Sequence, residues 1–206
     1  MARSSQKAEN HTARASIDPI ARFHTWFAQA RRAKAPLTEA MALATASHDG
    51  HVSVRFVLLK QVDDRGFVFY TDRRSAKGRN LQDNPRASLA LYWDATGKQV
   101  RVEGAIEEVS AAEADAYWAS RPRQSRLSGS VSRQSAKLGS RTELVDAVNR
   151  LRMSLKGSDV RRPDYWTGFR VIPDSIEFWT RRSHRLHERE RYERIAKGWK
   201  LTLLQP

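Results

Sequence analysis

Cationic side chains stand at both ends of one apolar segment of this sequence, Arg55-Phe56-Val57-Leu58-Leu59-Lys60. A guanidinium and an ammonium in such positions could bind anionic groups. Strand alternation would place Arg55 and Lys60 on opposite faces, so they would bind different anionic groups or one group across a dimer. The alternative interpretation is that both side chains extend to the rim of a barrel and are only solvated there.

Two further segments have the side chains of a phosphate site. Tyr70-Thr71 leads into Ser75-Ala76-Lys77-Gly78-Arg79, which predicts a strand followed by a helix with a hydroxyl and two cations in its first turn. Free backbone N–H groups and the helix dipole would add to these side chains. Tyr117, Arg121 and Ser125 recur every four residues around a predicted helix end, which also suits a phosphate. The alternative interpretations are an ordinary N-cap with surface cations and an ordinary helix end.

Composition restricts the classes of function. The 206 residues include 37 Lys and Arg against 23 Asp and Glu, a formal net charge of +14. This charge would attract polyanions, but it is scattered in short arginine pairs, and no RNA-binding motif accompanies the 6 tryptophans. The absence of cysteine excludes disulfides and thiolate chemistry and suits a reducing compartment. With no apolar run of membrane-spanning length, we expect a cytoplasmic protein without nucleic-acid or membrane partners.

Hydrophobic periodicity predicts the elements that position these residues. Asp18-Pro19 begins an amphipathic helix over 19–32, a second helix covers 75–82, and capping boxes at 110–113 and 140–143 begin two more. The predicted strands are 40–47, 51–62, 66–71, 87–93, 99–109, 169–172, 175–179, 185–194 and 199–204. This order predicts an α+β fold built on an antiparallel barrel with peripheral helices.

Several other kinds of site are excluded. The sequence has no G-x-G-x-x-G, Walker or G-x-S-x-G motif, so Rossmann, P-loop and serine hydrolase sites are not expected. His184 and His187 are the closest pair with metal-ligand character. On a strand, three-residue spacing would point them to opposite faces, so we expect no metal site.

Nine segments spread along most of the chain occur together in a recognisable order. They are RFVLLK at 55–60, FVFYT at 67–71, SAKGR at 75–79, QVRVEG at 99–104, YWASRPRQS at 117–125, SRQS at 132–135, IEFW at 176–179, RLHER at 185–189 and the terminal GWKLTLLQP. With these segments the sequence resembles the pyridoxine/pyridoxamine 5′-phosphate oxidases, the flavin enzymes that make pyridoxal 5′-phosphate. The similarity runs from about Asp18 to Pro206 without large gaps.

The resemblance implies an FMN-binding split barrel and an obligate homodimer with a flavin at the subunit interface. It implies an FMN-binding domain over 18–160 and a dimerisation region over 161–206 that completes the barrel and the active site. Residues 1–17 are polar and aperiodic, which predicts a flexible arm. The implied activity is oxidation of pyridoxamine or pyridoxine 5′-phosphate to pyridoxal 5′-phosphate, with O₂ reduced to hydrogen peroxide.

The same resemblance implies a role for each matched residue. FMN phosphate and ribityl contacts fall to Arg55, Lys77, Gln134 and Ser135. Flavin-ring and neighbouring contacts fall to Val57, Leu58, Lys60, Tyr70, Thr71, Gln99, Trp179 and Arg189. The substrate phosphate is assigned to Lys60, Tyr117, Arg121 and Ser125. Arg185 and His187 are the implied catalytic residues and lie over the substrate ring.

The chain also departs from the family pattern. Ala76 stands where an arginine is usual, residues 126–130 replace a Q-I-G-A-W stretch, Glu188 replaces an aspartate, and the arm lacks an R-x-E-Y segment. Several of these departures also resemble the phenazine-biosynthesis flavin oxidases, which aromatise reduced tricyclic precursors. Such an oxidase is one alternative, and a non-catalytic flavin or pyridoxal-phosphate binder is another.

Overall fold

An antiparallel sheet of 9 strands organises residues 18–206, the part of the chain that the computed structural model describes. The arm predicted over 1–17 lies outside the described residues. The strands are β1 Ala40–Ala46, β2 Val52–Leu58, β3 Gln61–Asp63, β4 Gly66–Asp72, β5 Arg86–Trp93, β6 Lys98–Glu108, β7 Trp166–Thr180, β8 Glu188–Ile195 and β9 Gly198–Leu204. Their order is β2-β1-β5-β6-β7-β4-β3, with β8 paired to β7 and β9 to β8. The predicted antiparallel α+β fold is confirmed.

Helices surround this sheet: α1 Pro19–Arg32, α2 Ala76–Asp83, α3 Ala111–Ser120, α4 Arg123–Val131 and α5 Arg141–Ser154. The predicted start signals act as expected. Asp18 caps α1, Ser75 Oγ accepts the Gly78 N–H at the start of α2, and Ser110 forms a reciprocal capping box with Glu113 on α3. Helix α4 was not predicted, because its segment contains one glycine and three serines and lacks a capping side chain.

Two apolar clusters hold these elements together. The larger lies between the curled sheet and α1, where Phe23 meets Phe67 edge to face with ring centroids 4.9 Å apart. The smaller lies under α3, α4 and α5 and contains Trp118, Leu127 and Trp166. Burial of side chains of this size contributes roughly 1.5–3 kcal/mol each. The smaller cluster therefore fixes the helices that carry Tyr117, Arg121 and Ser125.

The prediction of one strand over 51–62 is wrong, and the error matters for the site. Strand β2 ends at Leu58 and β3 begins at Gln61. Between them the Leu59 N–H donates to Glu39 O and the Lys60 N–H donates to Val68 O, each at 2.8 Å. The chain thus leaves β1 for β4, and strand alternation no longer relates Arg55 to Lys60.

The C-terminal strands also differ from expectation. Residues 169–172 and 175–179 belong to one strand, β7, with a register shift opposite Glu103 and Gly104. Strand β8 begins at Glu188, not at Arg185, and residues 183–185 form a 3₁₀ turn. His184 and Arg185 have φ values of 55° and 61°, so the strand-based argument about His184 and His187 does not apply. None of the helices between residues 18 and 206 combines the length and apolar character needed to cross a bilayer.

Candidate active site

A cavity of about 590 Å³ opens where β2 and β4 meet α2 and the α3–α4 junction. It brings together most of the residues predicted from the sequence. These are Arg55, Val57, Leu58, Lys60, Tyr70, Thr71, Lys77, Tyr117, Arg121, Ser125 and Gln134. The prediction that Arg55 and Lys60 lie on opposite faces is wrong, because the break after Leu58 lets both line this cavity.

The cavity is strongly electropositive. Arg55, Lys60, Lys77 and Arg121 line it, and over residues 18–206 no carboxylate shares the lining. Burial, and then the nearby charge of Arg55, lower the pKa of Lys77 below its ordinary value, although Asp72 opposes this shift. Burial likewise lowers the pKa of Arg55. Desolvated cations without a counter-charge favour an anionic ligand, so we call this space the anion cavity.

Uncharged oxygens position the cations beside helix α2. Lys77 Nζ lies 3.1 Å from both Thr71 Oγ1 and Gln134 Oε1 and 3.3 Å from Ser75 Oγ. The Ala76 N–H donates to Ser135 Oγ at 3.1 Å, which ties the start of α2 to the segment that follows α4. These contacts orient Lys77 and leave its positive charge uncompensated.

Gly78 allows the tight approach of α2 to the end of β4. A Cβ at Gly78 would lie 2.2 Å from the backbone oxygen of Arg73, so no larger residue fits there without movement. This close approach brings Lys77 Nζ within hydrogen-bonding distance of Thr71 Oγ1. On the other side of the cavity, Arg55 donates to Leu43 O at 3.2 Å and to Thr45 Oγ1 at 2.8 Å, again to uncharged acceptors.

Arg121 forms the other end of the anion cavity. Its guanidinium carbon lies 4.8 Å from the ring centroid of Trp166 and 5.0 Å from that of Trp118. Its Nη1 is buried and has no hydrogen-bond partner among the described residues. Burial lowers the pKa of Arg121 below its ordinary value. Because Arg121 lines the anion cavity, an anionic ligand bound there would supply an acceptor for its guanidinium.

Trp166 is a cavity residue that the sequence analysis missed. Its ring is stacked with that of Tyr70, at 5.3 Å between centroids and 7° between planes, and Tyr70 is stacked on Tyr117 at 4.0 Å and 14°. Trp166 is 4% exposed and begins β7. A single tryptophan in a sequence predicts only a buried core residue. Trp166 is distant in sequence from Tyr70 and Tyr117, so only the folded structure shows that the three rings stack.

The remaining predicted residues lie away from the anion cavity in this protomer. Gln99 pairs with Trp179 across β6 and β7, and Trp179 pairs with Arg189 across β7 and β8. The ring of His187 lies 4.5 Å from that of Trp179. His187 and Arg189 line a separate cavity of about 740 Å³, together with Arg22, Glu188, Glu190, Leu203 and Leu204. Arg185 is exposed on the adjacent turn and lines neither cavity.

The surroundings of His187 determine which of its ring nitrogens can donate. The Arg182 backbone N–H donates to His187 Nδ1 at 3.2 Å. A neutral ring that accepts at Nδ1 carries its proton on Nε2, so Nε2–H is the ring donor that remains available.

Ser135 lies beside a third cavity. This cavity has a volume of about 510 Å³ and shares Gln134 with the anion cavity. Its cationic lining residues are Arg73, Arg74, Arg79 and Arg133. Arg74 is paired with Asp72, and Arg73 with Glu108. Arg79 and Arg133 have no carboxylate partner among the described residues, so they add positive charge beside Ser135.

Comparison with known protein families identifies the chain. The family model described as pyridoxamine 5′-phosphate oxidase matches residues 27–154, and that of the pyridoxine 5′-phosphate oxidase C-terminal dimerisation region matches residues 166–206. The chain belongs to the pyridoxamine 5′-phosphate oxidase family. This membership confirms the resemblance seen in the sequence.

Individual relatives of the family cover nearly the whole chain. A pyridoxine/pyridoxamine 5′-phosphate oxidase of Anaeromyxobacter dehalogenans is 49% identical over 93% of this chain and 97% of its own length. One from Myxococcus xanthus is 45% identical over 97% and 94%. The crystal structure of PhzG from Burkholderia lata, in complex with tetrahydrophenazine-1-carboxylic acid, superposes with a TM-score of 0.88 at 38% identity and covers 92% of this chain and 93% of that one.

Proposed function

We propose that this protein is an FMN-dependent oxidase that converts pyridoxamine or pyridoxine 5′-phosphate to pyridoxal 5′-phosphate, with O₂ reduced to hydrogen peroxide. The observation that carries the proposal is the anion cavity, whose cations have uncharged neighbours and whose Arg121 has a buried donor to spare. The names of relatives at 45% and 49% identity support the same activity.

The residues near α2 fit the phosphate of FMN. Lys77 is desolvated, is held by neutral oxygens, and has no carboxylate partner within the described chain. Arg55, Lys77, Gln134 and Ser135 would hold the phosphate and ribityl chain, with Val57, Leu58, Lys60, Tyr70 and Thr71 near the ring. When bound, FMN supplies the acceptor for a hydride and the site at which O₂ is reduced.

A homodimer would complete this site. Gln99, Trp179 and Arg189 pair with one another across β6, β7 and β8, away from the anion cavity. Trp179 and Arg189 lie within the region that matches the family's dimerisation segment. Strand β2 is an edge of the sheet and exposes Val52 by 74% and Val54 by 67%. We propose that the edge strand packs on a second copy, whose C-terminal face then covers the flavin. In this arrangement 18–160 is the FMN-binding domain and 161–206 completes the barrel and the active site.

The substrate would be held by its phosphate at the Arg121 end of the anion cavity. Lys60, Tyr117 and Ser125 line the same cavity and would share the phosphate oxygens. Arg185 and His187 would lie over the substrate ring. Because Nδ1 of His187 is occupied as an acceptor, its Nε2–H would donate a hydrogen bond to the substrate. These residues bind and orient, and the amine or alcohol proton can pass to water. With the amine substrate, water then hydrolyses the imine to the aldehyde and ammonia leaves.

Oxidation of a reduced phenazine is the second candidate activity. The observation that favours it is the similarity to PhzG, whose crystal structure contains tetrahydrophenazine-1-carboxylic acid. That ligand carries a carboxylate and no phosphate, and it would leave much of the positive charge around Arg121 without a partner. The phosphate ester therefore fits the cavity better. We further propose a cytoplasmic location without nucleic-acid or membrane partners, which the cysteine-free composition suits.

A peroxide-coupled assay distinguishes these activities. Purified dimer loaded with FMN is given pyridoxamine 5′-phosphate, pyridoxine 5′-phosphate or a dihydrophenazine carboxylic acid in parallel. We expect a flavin absorbance spectrum and peroxide formation with the two phosphate esters. Peroxide only with the dihydrophenazine would establish the second candidate. Bound flavin without turnover of any substrate would indicate a non-catalytic binder, and a colourless protein that takes up no FMN would contradict the proposal altogether.

A further inference from the structure

A buried carboxylate, that of Glu177, lies two residues before Trp179 on β7. Ile176 and Phe178 point into the core, so Glu177 and Trp179 share the opposite face of the sheet. Across the neighbouring strands, Gln99 and Arg189 stand opposite Trp179, while Arg101 and Arg191 stand opposite Glu177. We call this surface of Gln99, Arg101, Glu177, Trp179 and Arg189 the paired face.

Glu177 binds the guanidinium of Arg189 through both carboxylate oxygens. Arg189 Nε donates to Oε1 at 2.8 Å, and Nη2 donates to Oε2 at 3.2 Å. Arg101 donates to Oε2 from the other side. Glu177 is only 4% exposed, so its position is fixed by these partners and not by solvent. Two-point pairing of this kind fixes the plane of a guanidinium as well as its distance.

The charge state of Glu177 follows from the same contacts. Burial would raise the pKa of its carboxyl, but the hydrogen bonds from Arg189 and Arg101 outweigh burial and hold the pKa below its ordinary value. Glu177 is therefore ionised at neutral pH. Its negative charge offsets the positive charge of the arginines that surround it.

The pairing leaves Arg189 with a defined set of free donors. A guanidinium has five N–H groups. Two of those on Arg189 go to Glu177, and Nη1 donates a third to Gln205 O at 3.0 Å. The remaining two point away from Glu177. The side chain is 26% exposed and lines the cavity that also contains His187.

We infer that Glu177 is a positioning residue that sets the orientation of Arg189 toward the flavin. The inference rests on the proposed function, in which Arg189 contacts FMN. Without the carboxylate, Arg189 would keep only its hydrogen bond to Gln205 O, which does not fix the plane of the guanidinium. Arg101 and Arg189 would also lose the negative charge that partly offsets theirs. Glu177 itself has no direct contact with the ligand in this arrangement.

A double-mutant cycle tests this inference through FMN affinity. The dissociation constant of FMN is measured by fluorescence quenching on apoprotein dimers of wild type, Glu177→Gln, Arg189→Lys and the double variant. We expect Glu177→Gln to weaken FMN binding by about tenfold or more, as for loss of a charged hydrogen bond. If Glu177 acts through Arg189, the double variant binds FMN no more weakly than Arg189→Lys. Effects that multiply, or no effect of Glu177→Gln, would overturn the inference.

Control variants distinguish a positioning role of Glu177 from a general effect of its substitution on the stability of the protein. Glu103→Gln removes a carboxylate from the same sheet face, where it is about half exposed and lies 3.9 Å from Arg191, and should leave FMN affinity unchanged. Dimer mass and thermal midpoint are recorded for every variant. The absorbance spectrum at saturating FMN is a readout that a purely structural role would not change, and it should shift in Glu177→Gln. If this variant does not fold, Glu177→Asp keeps the charge and alters the geometry, and unchanged FMN affinity in it would refute the inference.

The wild-type arm of the same titration separates the two proposals. If wild-type protein fails to bind FMN, the proposed function is wrong, and the role given to Glu177 is lost with it. If wild-type protein binds FMN and the cycle shows no coupling, only the role of Glu177 is wrong.

Discussion

The anion cavity and the paired face contain the same kinds of cationic side chain in two different electrostatic surroundings. In the anion cavity, Lys77 and Arg55 contact only hydroxyl, amide and carbonyl oxygens, and Arg121 contacts two indole rings. On the paired face, Arg101 and Arg189 share the carboxylate of Glu177. Both regions are partly buried, so the difference lies in the counter-charge and not in exposure.

This difference indicates what each region can bind. Desolvated cations without a carboxylate gain most from a ligand that brings its own negative charge, such as a phosphate. Cations that already share a carboxylate gain less from an anion, and they present fixed N–H donors to an uncharged group. The first region therefore suits the two phosphates of cofactor and substrate, and the second suits the ring system between them.

The largest effect is expected from dissociating the dimer, because in our proposal the anion cavity of one protomer meets the paired face of the other only across the dimer interface. Val54→Asp places a charge on the exposed face of β2 without altering the lining of the anion cavity. Loss of valine burial, roughly 1.5–3 kcal/mol at each symmetric copy, should dissociate the dimer and release FMN with it. Light scattering and flavin content report both effects.

Met153→Asp is the matched control for this variant. Met153 is as exposed as Val52, at 74%, but it lies on α5 away from the edge strand. We expect the Met153→Asp protein to remain a yellow dimer. A Val54→Asp protein that stays dimeric would show that β2 is not the interface.

The Arg121 end of the anion cavity is tested by removing its buried guanidinium. Arg121→Ala should weaken binding of pyridoxamine 5′-phosphate by about 2–5 kcal/mol, because a dianion is left undercompensated. The loss should appear mainly in KM, since the phosphate is remote from the reacting carbon. Steady-state kinetics with the phosphate ester and with unphosphorylated pyridoxamine separate this effect from general damage. Arg126→Ala on α4 removes an arginine paired with Asp159 and should leave KM unchanged.

An unchanged KM in Arg121→Ala, accompanied by a lower thermal midpoint, would mean that Arg121 only closes α3 against Trp118 and Trp166.

The role of the α2 end of the anion cavity in binding FMN is tested by removing the positive charge of Lys77. Lys77→Met should weaken FMN binding by about 1.5–3 kcal/mol, the usual contribution of a hydrogen bond to a charged group. The pKa of Lys77 is lowered in the ligand-free protein, so its ammonium loses its proton below the ordinary value of 10.5. FMN affinity should therefore fall as pH rises through this lowered pKa, at a pH below 10.5. Titrations up to that pH measure it.

Lys77→Arg is the control for this pH dependence, because an arginine stays protonated throughout. An alkaline loss of affinity that persists in Lys77→Arg would assign the titration to another group.

Local sequence rules predicted most of the elements but not how they curl around the site. Caps at Asp18, Ser75 and Ser110 and the apolar alternation of β5 and β6 are local signals, and they placed these elements correctly. The break after Leu58 depends on hydrogen bonds from Leu59 and Lys60 to Glu39 and Val68, which are distant in sequence. Arg55 and Lys60 could therefore be recognised as cations of a site, while their common cavity could not.

The residues of the site, like the elements of the fold, could be predicted only where a local sequence pattern marks them. The residues around Lys77 and Arg121 have recognisable sequence patterns, so the anion cavity was largely predictable. Trp166 and Glu177 carry no such pattern. Trp166 acquires a role through stacking with Tyr70, and Glu177 through contact with arginines on two neighbouring strands. Such roles depend on strand register, which a single sequence does not specify.

The smallest expected effect concerns the stability of the paired face in acid. The pKa of Glu177 is held below its ordinary value of 4.5 in the folded protein, so its ion pairs contribute stability above that value. This contribution is lost as pH falls through the lowered folded pKa, because the unfolded chain then takes up the proton more readily. In Glu177→Gln no proton is exchanged, so its unfolding free energy should fall less steeply below about pH 4.5 than that of wild type. The difference in slope cannot exceed one proton, or about 1.36 kcal/mol per pH unit. Urea unfolding of both proteins between about pH 3 and 7 measures it, and parallel curves would mean that Glu177 does not titrate with folding and that the paired face is not held by its charge.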